Sequence, residues 1–197
     1  MKSNMPKRSG KLPRFLTAVI FLLISEIAVS QSYDTISNWD AISADWQIYT
    51  PGSAVVDNPD PGPVNSSEHC LKFVTTEGAY DYMLLYLPEP ANLGVYPRYR
   101  LKVLAPASGG NITLKFENYN NFYWQEIVKT PVPGQWTDLE YDFSGLPYND
   151  LIKIVIFPDF EGTMPGKTWY IDDVLRENNG PPPPLELETD LPIVVIN

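Results

Sequence analysis

Three stretches of the chain alternate strictly between apolar and polar residues. In "YPRYRLKVLAP" Tyr99, Leu101 and Val103 fall between Arg98, Arg100 and Lys102. In "GNITLKFEN" Ile112, Leu114 and Phe116 oppose Thr113, Lys115 and Glu117, and in "WTDLEYDFSG" Leu139, Tyr141 and Phe143 oppose Asp138, Glu140 and Asp142. A period of two predicts antiparallel strands with one face buried and one wet. "LIKIVIFPDF" is instead apolar on both faces apart from Lys153, which predicts a central strand. Further strands are expected at 46–50, 54–57, 70–75, 80–87, 124–130 and 169–175, which brings the number near ten. Gly, Pro and Asn-Asp clusters punctuate these runs every 8–15 residues. The expected fold is all-β, a two-sheet antiparallel sandwich over residues 31–177.

Outside that region the pattern changes twice. Lys2, Lys7, Arg8, Lys11 and Arg14 precede an apolar run at 15–24, followed by Ala28, Val29 and Ser30. This is the layout of a signal peptide over residues 1–30, cleaved after Ser30, and the run of about ten residues is half of what a membrane span needs. The protein is thus expected to be secreted or at the cell surface, with no membrane insertion after cleavage. At the other end "ENNGPPPPLELETD" places a stiff proline-rich linker at 178–190. "LPIVVIN", residues 191–197, then reads as the opening of a further C-terminal domain.

Charge narrows the partners. The whole chain carries −10, and without residues 1–30 nine basic residues face 23 acidic ones, a net −14. Such a surface repels phosphate backbones and anionic lipid heads, so nucleic acid is not an expected partner, whereas neutral or cationic ligands are. Cys70 is the only cysteine, so no internal disulfide supports the fold and the core must hold it. Roughly 145 residues suffice, since a domain of that size buries about 68–70% of its unfolded surface.

Catalytic patterns are absent. His69 is the only histidine, no Ser-His-Asp or Cys-His-Asn set can be assembled around it, and there is no zinc spacing or phosphate loop. Asp172 and Asp173 are neighbours on a strand and should point to opposite faces, so they cannot share a substrate. Glu140 and Asp142 share a face, as acidic residues on a wet face commonly do.

The order of segments carries a resemblance. An early Trp region, "VNSSEHCLKF", "GQWTDLEYDFSG", "IVIFPDF" and the closing "TWYIDDVLRE" together resemble the galactose-binding-like jelly-roll sandwiches found as carbohydrate-binding modules of secreted bacterial proteins. The resemblance implies a noncatalytic polysaccharide-binding module, a structural place for Trp136, and a structural calcium (Ca2+) held by Asp172 or Asp173 with Asp34 or Asp40 as partners. "DLPIVVIN" is similar to segments that lead into spore-coat-protein-H-like kinase domains, which implies a kinase-like missing part. A spacer domain without sugar binding and a small glycoside-active enzyme are the other two functional readings.

The stretch that matters most for such a function is "NYNNFYWQE", residues 118–126. It is expected to turn between two strands at the sandwich rim, with Trp124 beginning the second. Flat rings can stack on the C–H faces of sugars while amides and carboxylates satisfy hydroxyls. Tyr119, Asn121, Tyr123, Trp124 and Gln125 are therefore the candidate ligand contacts, whereas Phe122 is expected to cap the core. Tyr80 and Tyr82, with Tyr86, lie on one side of a strand that is either core or binding face. Trp39, Trp46 and Trp169 are expected to be packing residues.

Overall fold

The structure is a computed structural model that describes residues 31–178, except 79, 146–149, 161, 163 and 164. The expected signal peptide, the C-terminal segment 191–197 and all of the linker but its first residue lie outside the described residues.

Among the described residues, eleven strands form two antiparallel sheets. In chain order they are β1 (Ser32–Ser37), β2 (Gln47–Ile48), β3 (Ala54–Asp57), β4 (His69–Val74), β5 (Met83–Ala91), β6 (Arg98–Leu104), β7 (Ile112–Asn118), β8 (Trp124–Lys129), β9 (Trp136–Asp142), β10 (Leu151–Pro158) and β11 (Thr168–Asn178). One sheet has the order β3-β4-β11-β6-β9, with β1 pairing the far half of β11, and the other has the order β2-β5-β10-β7-β8. From β4 onward the chain crosses between sheets at every connection except β7 to β8, which form a hairpin within the five-stranded sheet. No helix among the described residues is long and apolar enough to cross a membrane.

The core is made by the residues that the period of two selects. Tyr99, Leu101 and Val103 of β6 and Leu139 and Tyr141 of β9, with Phe143 just beyond it, are buried against Leu114 and Phe116 of β7. Tyr99, Phe116 and Phe143 meet with centroids 4.8–6.2 Å apart, two of the contacts edge-to-face and one tilted, worth about 0.5–1.5 kcal/mol each beyond their buried area. β10 is central, as its double apolar character requires: Ile154 and Ile156 enter the core, while Val155 and Phe157 form a separate buried cluster with Leu84. Trp39 and Trp169 are buried in the core and Trp46 packs half-buried against it.

Two expectations need adjustment. The strand expected at 80–87 begins only at Met83, and β1, which lacks strong alternation, was not foreseen. Asn178, expected to open the linker, still belongs to β11: it pairs with Ser32, and its side-chain amide donates to Asp34 at 2.8 Å.

Candidate functional site

The hairpin between β7 and β8 is closed by Asn118. Its backbone N–H donates to the Tyr123 carbonyl at 3.0 Å, and its Oδ1 accepts from the N–H groups of Phe122 and Tyr123 at 3.0 and 3.3 Å. Asn121 takes a φ of 58°, a left-handed conformation that asparagine tolerates better than most side chains. From there its Oδ1 accepts from Lys153 Nζ, which also donates to the Tyr119 carbonyl at 3.0 Å. A single lysine in the central strand thus ties the aromatic loop to the sheet.

Trp124 starts β8 on the outer face of the five-stranded sheet. Register places Tyr86, Lys153, Glu117 and Trp124 in one row across four strands. A second row runs Gln47, Leu84, Val155, Lys115 and Glu126. Past it Tyr82 packs between Phe157, 5.6 Å away, and Tyr49, 5.1 Å away. Tyr86, Lys153 and Glu117 of the first row, Leu84, Val155 and Lys115 of the second, and Tyr49, Tyr80, Tyr82, Asn121, Phe157 and Phe160 line a cleft of about 470 Å³. Its floor is the buried Leu84, Val155 and Phe157 cluster.

The charges in the cleft are fixed to one another or to rings. Lys115 Nζ lies 2.8 Å from Glu117 and 5.3 Å from the centre of the Trp124 ring. Lys153 Nζ lies 5.7 Å from the Tyr86 ring and 6.0 Å from that of Tyr119. Cations at these distances attract the ring faces and hold the rings in place. Burial, with Tyr49 and the nearby Glu117 and Tyr86 adding to it, pushes the Tyr82 phenol above its ordinary range, so it stays a neutral donor and acceptor.

The expected contacts divide on geometry. Tyr80, Tyr82 and Asn121 line the cleft, Trp124 ends its first row, and Tyr119 stands over Lys153. Gln125 pairs with Phe116, a core residue, and so faces away from Trp124 on the opposite side of β8. Tyr123 is half-exposed at the hairpin mouth. Phe122, expected to cap the core, is 75% exposed, because Asn118 closes the hairpin and leaves Phe122 beyond the last strand pair. Tyr49, Lys115, Glu117, Lys153 and Phe157 were not singled out. The signal for Lys115 and Glu117 was their outward parity in "ITLKFEN", and for Lys153 its isolation in an apolar strand.

The carboxylates implied for calcium, Asp172 or Asp173 with Asp34 or Asp40, are each engaged by protein groups. Asp34 pairs with Arg176 at 3.0 Å and with Asn178. Asp40 accepts from the backbone and ring of His69 at 2.8 and 3.1 Å. Asp172 is fully buried and accepts from Asn65 Nδ2 and from the Asp173 N–H, each at 2.8 Å. Asp173 contacts Lys102 at 2.5 Å. Among the described residues no group of three or more His, Cys, Asp or Glu is placed to hold a metal ion. The expectation that Asp172 and Asp173 face opposite ways also fails: a register shift after Asp172 and a φ of 44° at Asp173 break the alternation, and both meet groups on the outer side of the six-stranded sheet.

Among the described residues, the cleft's one carboxylate is engaged by a cation. Glu117 is paired with Lys115, and Glu126 lies 3.9 Å from the same ammonium. Cys70 is buried on the other sheet with its thiol pushed up to about 12 by burial, far from a reactive thiolate.

No protein-family model matches the sequence, and no curated protein matches it. Solved structures do. The family 11 carbohydrate-binding module of the cellulosomal cellulase Lic26A-Cel5E of Clostridium thermocellum is 14% identical, with 74% of this chain and 94% of that one covered at a TM-score of 0.51. A family 29 carbohydrate-binding module in complex with cellulohexaose is also 14% identical, with coverage of 76% and 92% and a TM-score of 0.51. The N-terminal CBM22-1 and GH10 modules of the C. thermocellum xylanase 10B, complexed with xylohexaose, are 17% identical over 75% of this chain and 28% of that one, at a TM-score of 0.52. At these identities the likeness establishes the sandwich fold and its resemblance to carbohydrate-binding modules.

Proposed function

We propose that this protein is an exported, noncatalytic carbohydrate-binding module that holds a neutral polysaccharide on the outer face of its five-stranded sheet. The observation that carries the reading is the cleft itself. A sheet face turned to solvent ordinarily carries polar residues, yet this one carries Tyr49, Tyr80, Tyr82, Tyr86 and Trp124 around an apolar floor, interleaved with Lys115, Glu117 and Lys153. Rings supply flat apolar surface and the tethered charges supply oriented donors and acceptors for hydroxyls. A sugar ring stacked on one aromatic removes about 60–80 Å² of apolar surface from water, worth roughly 1.5–2 kcal/mol at about 25 cal/mol per Å². Two or three such contacts, offset by the cost of association, support a millimolar-to-micromolar affinity on the order of known weak recognition. The structural neighbours captured with cellulohexaose and xylohexaose make β-linked glucans and xylans the first ligands to try.

The test is retention on insoluble cellulose, xylan and mannan, with release of reducing sugar measured in parallel. The parent is expected to be retained by at least one of them and to release no sugar. Tyr82→Ala is expected to lose retention while remaining folded. Retention unchanged in Tyr82→Ala would move the site off this face, and sugar release by purified protein would overturn the noncatalytic reading.

A further inference from the structure

A larger cleft, about 720 Å³, opens beside β5. β2 pairs with β5 only through Gln47 and Ile48, opposite Leu84 and Met83. Beyond Leu84 the edge of β5 away from β10 pairs with no strand among the described residues, and Pro88 and Pro90 lack the N–H groups that a further strand would need. The open flank is faced instead by Asp34 and Ile36 of β1 and by Asp45, Tyr96 and Arg176. Tyr86 lines both this cleft and the aromatic one.

That shared ring decides where the aromatic face leads. The second row across the sheet is closed at its end by Gln47 of β2, but the first row, from Trp124 through Glu117 and Lys153 to Tyr86, meets no strand past β5. It runs off the sheet directly into the larger cleft. The chemistry continues there: Tyr96 is half-buried with the Arg176 guanidinium 5.3 Å from its ring centre, and Arg176 is held in turn by Asp34. Asp45 and Glu89 are exposed around it. Three carboxylates against one guanidinium disfavour an anionic ligand and suit hydroxyl groups.

Building on the reading of the aromatic face as a glycan site, we propose that the polysaccharide track continues over Tyr86 into the second cleft, with Tyr96 as its far platform. The ligand is then a neutral, unbranched glycan longer than the sheet row. Three interstrand steps make that row about 14 Å long, so short oligosaccharides fill the row alone and longer ones reach Tyr96.

Calorimetric titration with the di- to hexasaccharides of cellulose, xylan and mannan tests this. The parent's affinity is expected to keep rising, by about tenfold, between the length that fills the row and the hexasaccharide. Tyr96→Ala should abolish that late rise and leave the shorter ligands unaffected. Glu89→Ala, at an exposed position, gives the same readout in a smaller degree should Tyr96→Ala melt early. A parent that gains affinity with length identically to both variants overturns the extension and leaves the sheet-face site standing. If none of the three series binds the parent, the sheet-face site falls, and the extension with it.

Discussion

The two sheets turn very different outer faces to solvent. On the six-stranded sheet the charges are spent on one another: Arg98 pairs with Asp142 at 3.2 Å, the Arg100 guanidinium with Asp138, and Lys102 with Asp173 at 2.5 Å. Its aromatic residues are covered: Trp136 is buried, with the indole N–H given to Asn58 at 3.1 Å under the segment that leads to β4, and the Arg100 guanidinium lies 5.3 Å from the centre of the Tyr33 ring. On the five-stranded sheet the charges are likewise fixed to one another and to rings, but the rings stay half-exposed. The five-stranded face leaves Tyr49, Tyr80, Tyr86 and Trp124 45–60% exposed, which the six-stranded face does with none of its rings. The difference lies in what each strand's outward positions carry.

The same substitution on the two faces should break the molecule in different ways. Trp136→Ala is expected to cost about 3–5 kcal/mol of stability, the usual range for emptying a buried aromatic site, with glycan binding by the folded fraction unchanged. Denaturant unfolding and a titration on the same preparation check it. Trp124→Ala should do the reverse: at least about tenfold weaker glycan binding, from the loss of roughly 1.5–2 kcal/mol of ring contact, with the melting temperature nearly constant because half of this residue is already in water. Equal effects of the two substitutions on binding would dissolve the contrast between the faces.

Smaller changes sharpen it. Arg100→Ala removes one surface ion pair and should cost under about 1 kcal/mol, visible in urea unfolding and invisible in polysaccharide retention. The least effect belongs to Asp172. Burial raises its pKa, against the opposing hydrogen bonds from Asn65, Asp173 and Ser67. As pH climbs from its unfolded value near 4 the unfolded chain ionises first, so the stability that Asp172 contributes falls up to its folded pKa. Asp172→Asn keeps an acceptor for Asn65 and removes that slope. The variant's melting temperature should gain on the parent's across this window and run parallel above it. A difference that does not change with pH would mean that Asp172 is not the titrating group.

Alternation made most of the fold legible. Tyr99, Leu101, Val103, Leu114, Phe116, Leu139 and Tyr141 are core residues as their parity requires, and β10 is central because its sequence is apolar on both sides. Parity misled at Asp172 and Asp173, where it cannot register the irregularity that a positive φ makes and no residue type announces. Gln125 is the converse case: parity itself puts it on the face opposite Trp124, as found, and grouping the two as ligand contacts went against it. The site was legible where it is local, in the hairpin of "NYNNFYW". It was illegible where four strands from distant parts of the chain bring Tyr49, Tyr86, Lys115 and Lys153 together, because register across a sheet is set by tertiary pairing.

The five tryptophans offer one experiment in which both faces report at once. Their indole N–H signals can be followed by proton–nitrogen NMR while a soluble hexasaccharide of the retained polysaccharide is added. The sheet-face site predicts that the Trp124 signal moves progressively with ligand while that of Trp136, held by Asn58 on the opposite face, stays in place. A Trp136 signal that shifts while Trp124 stays still would contradict it.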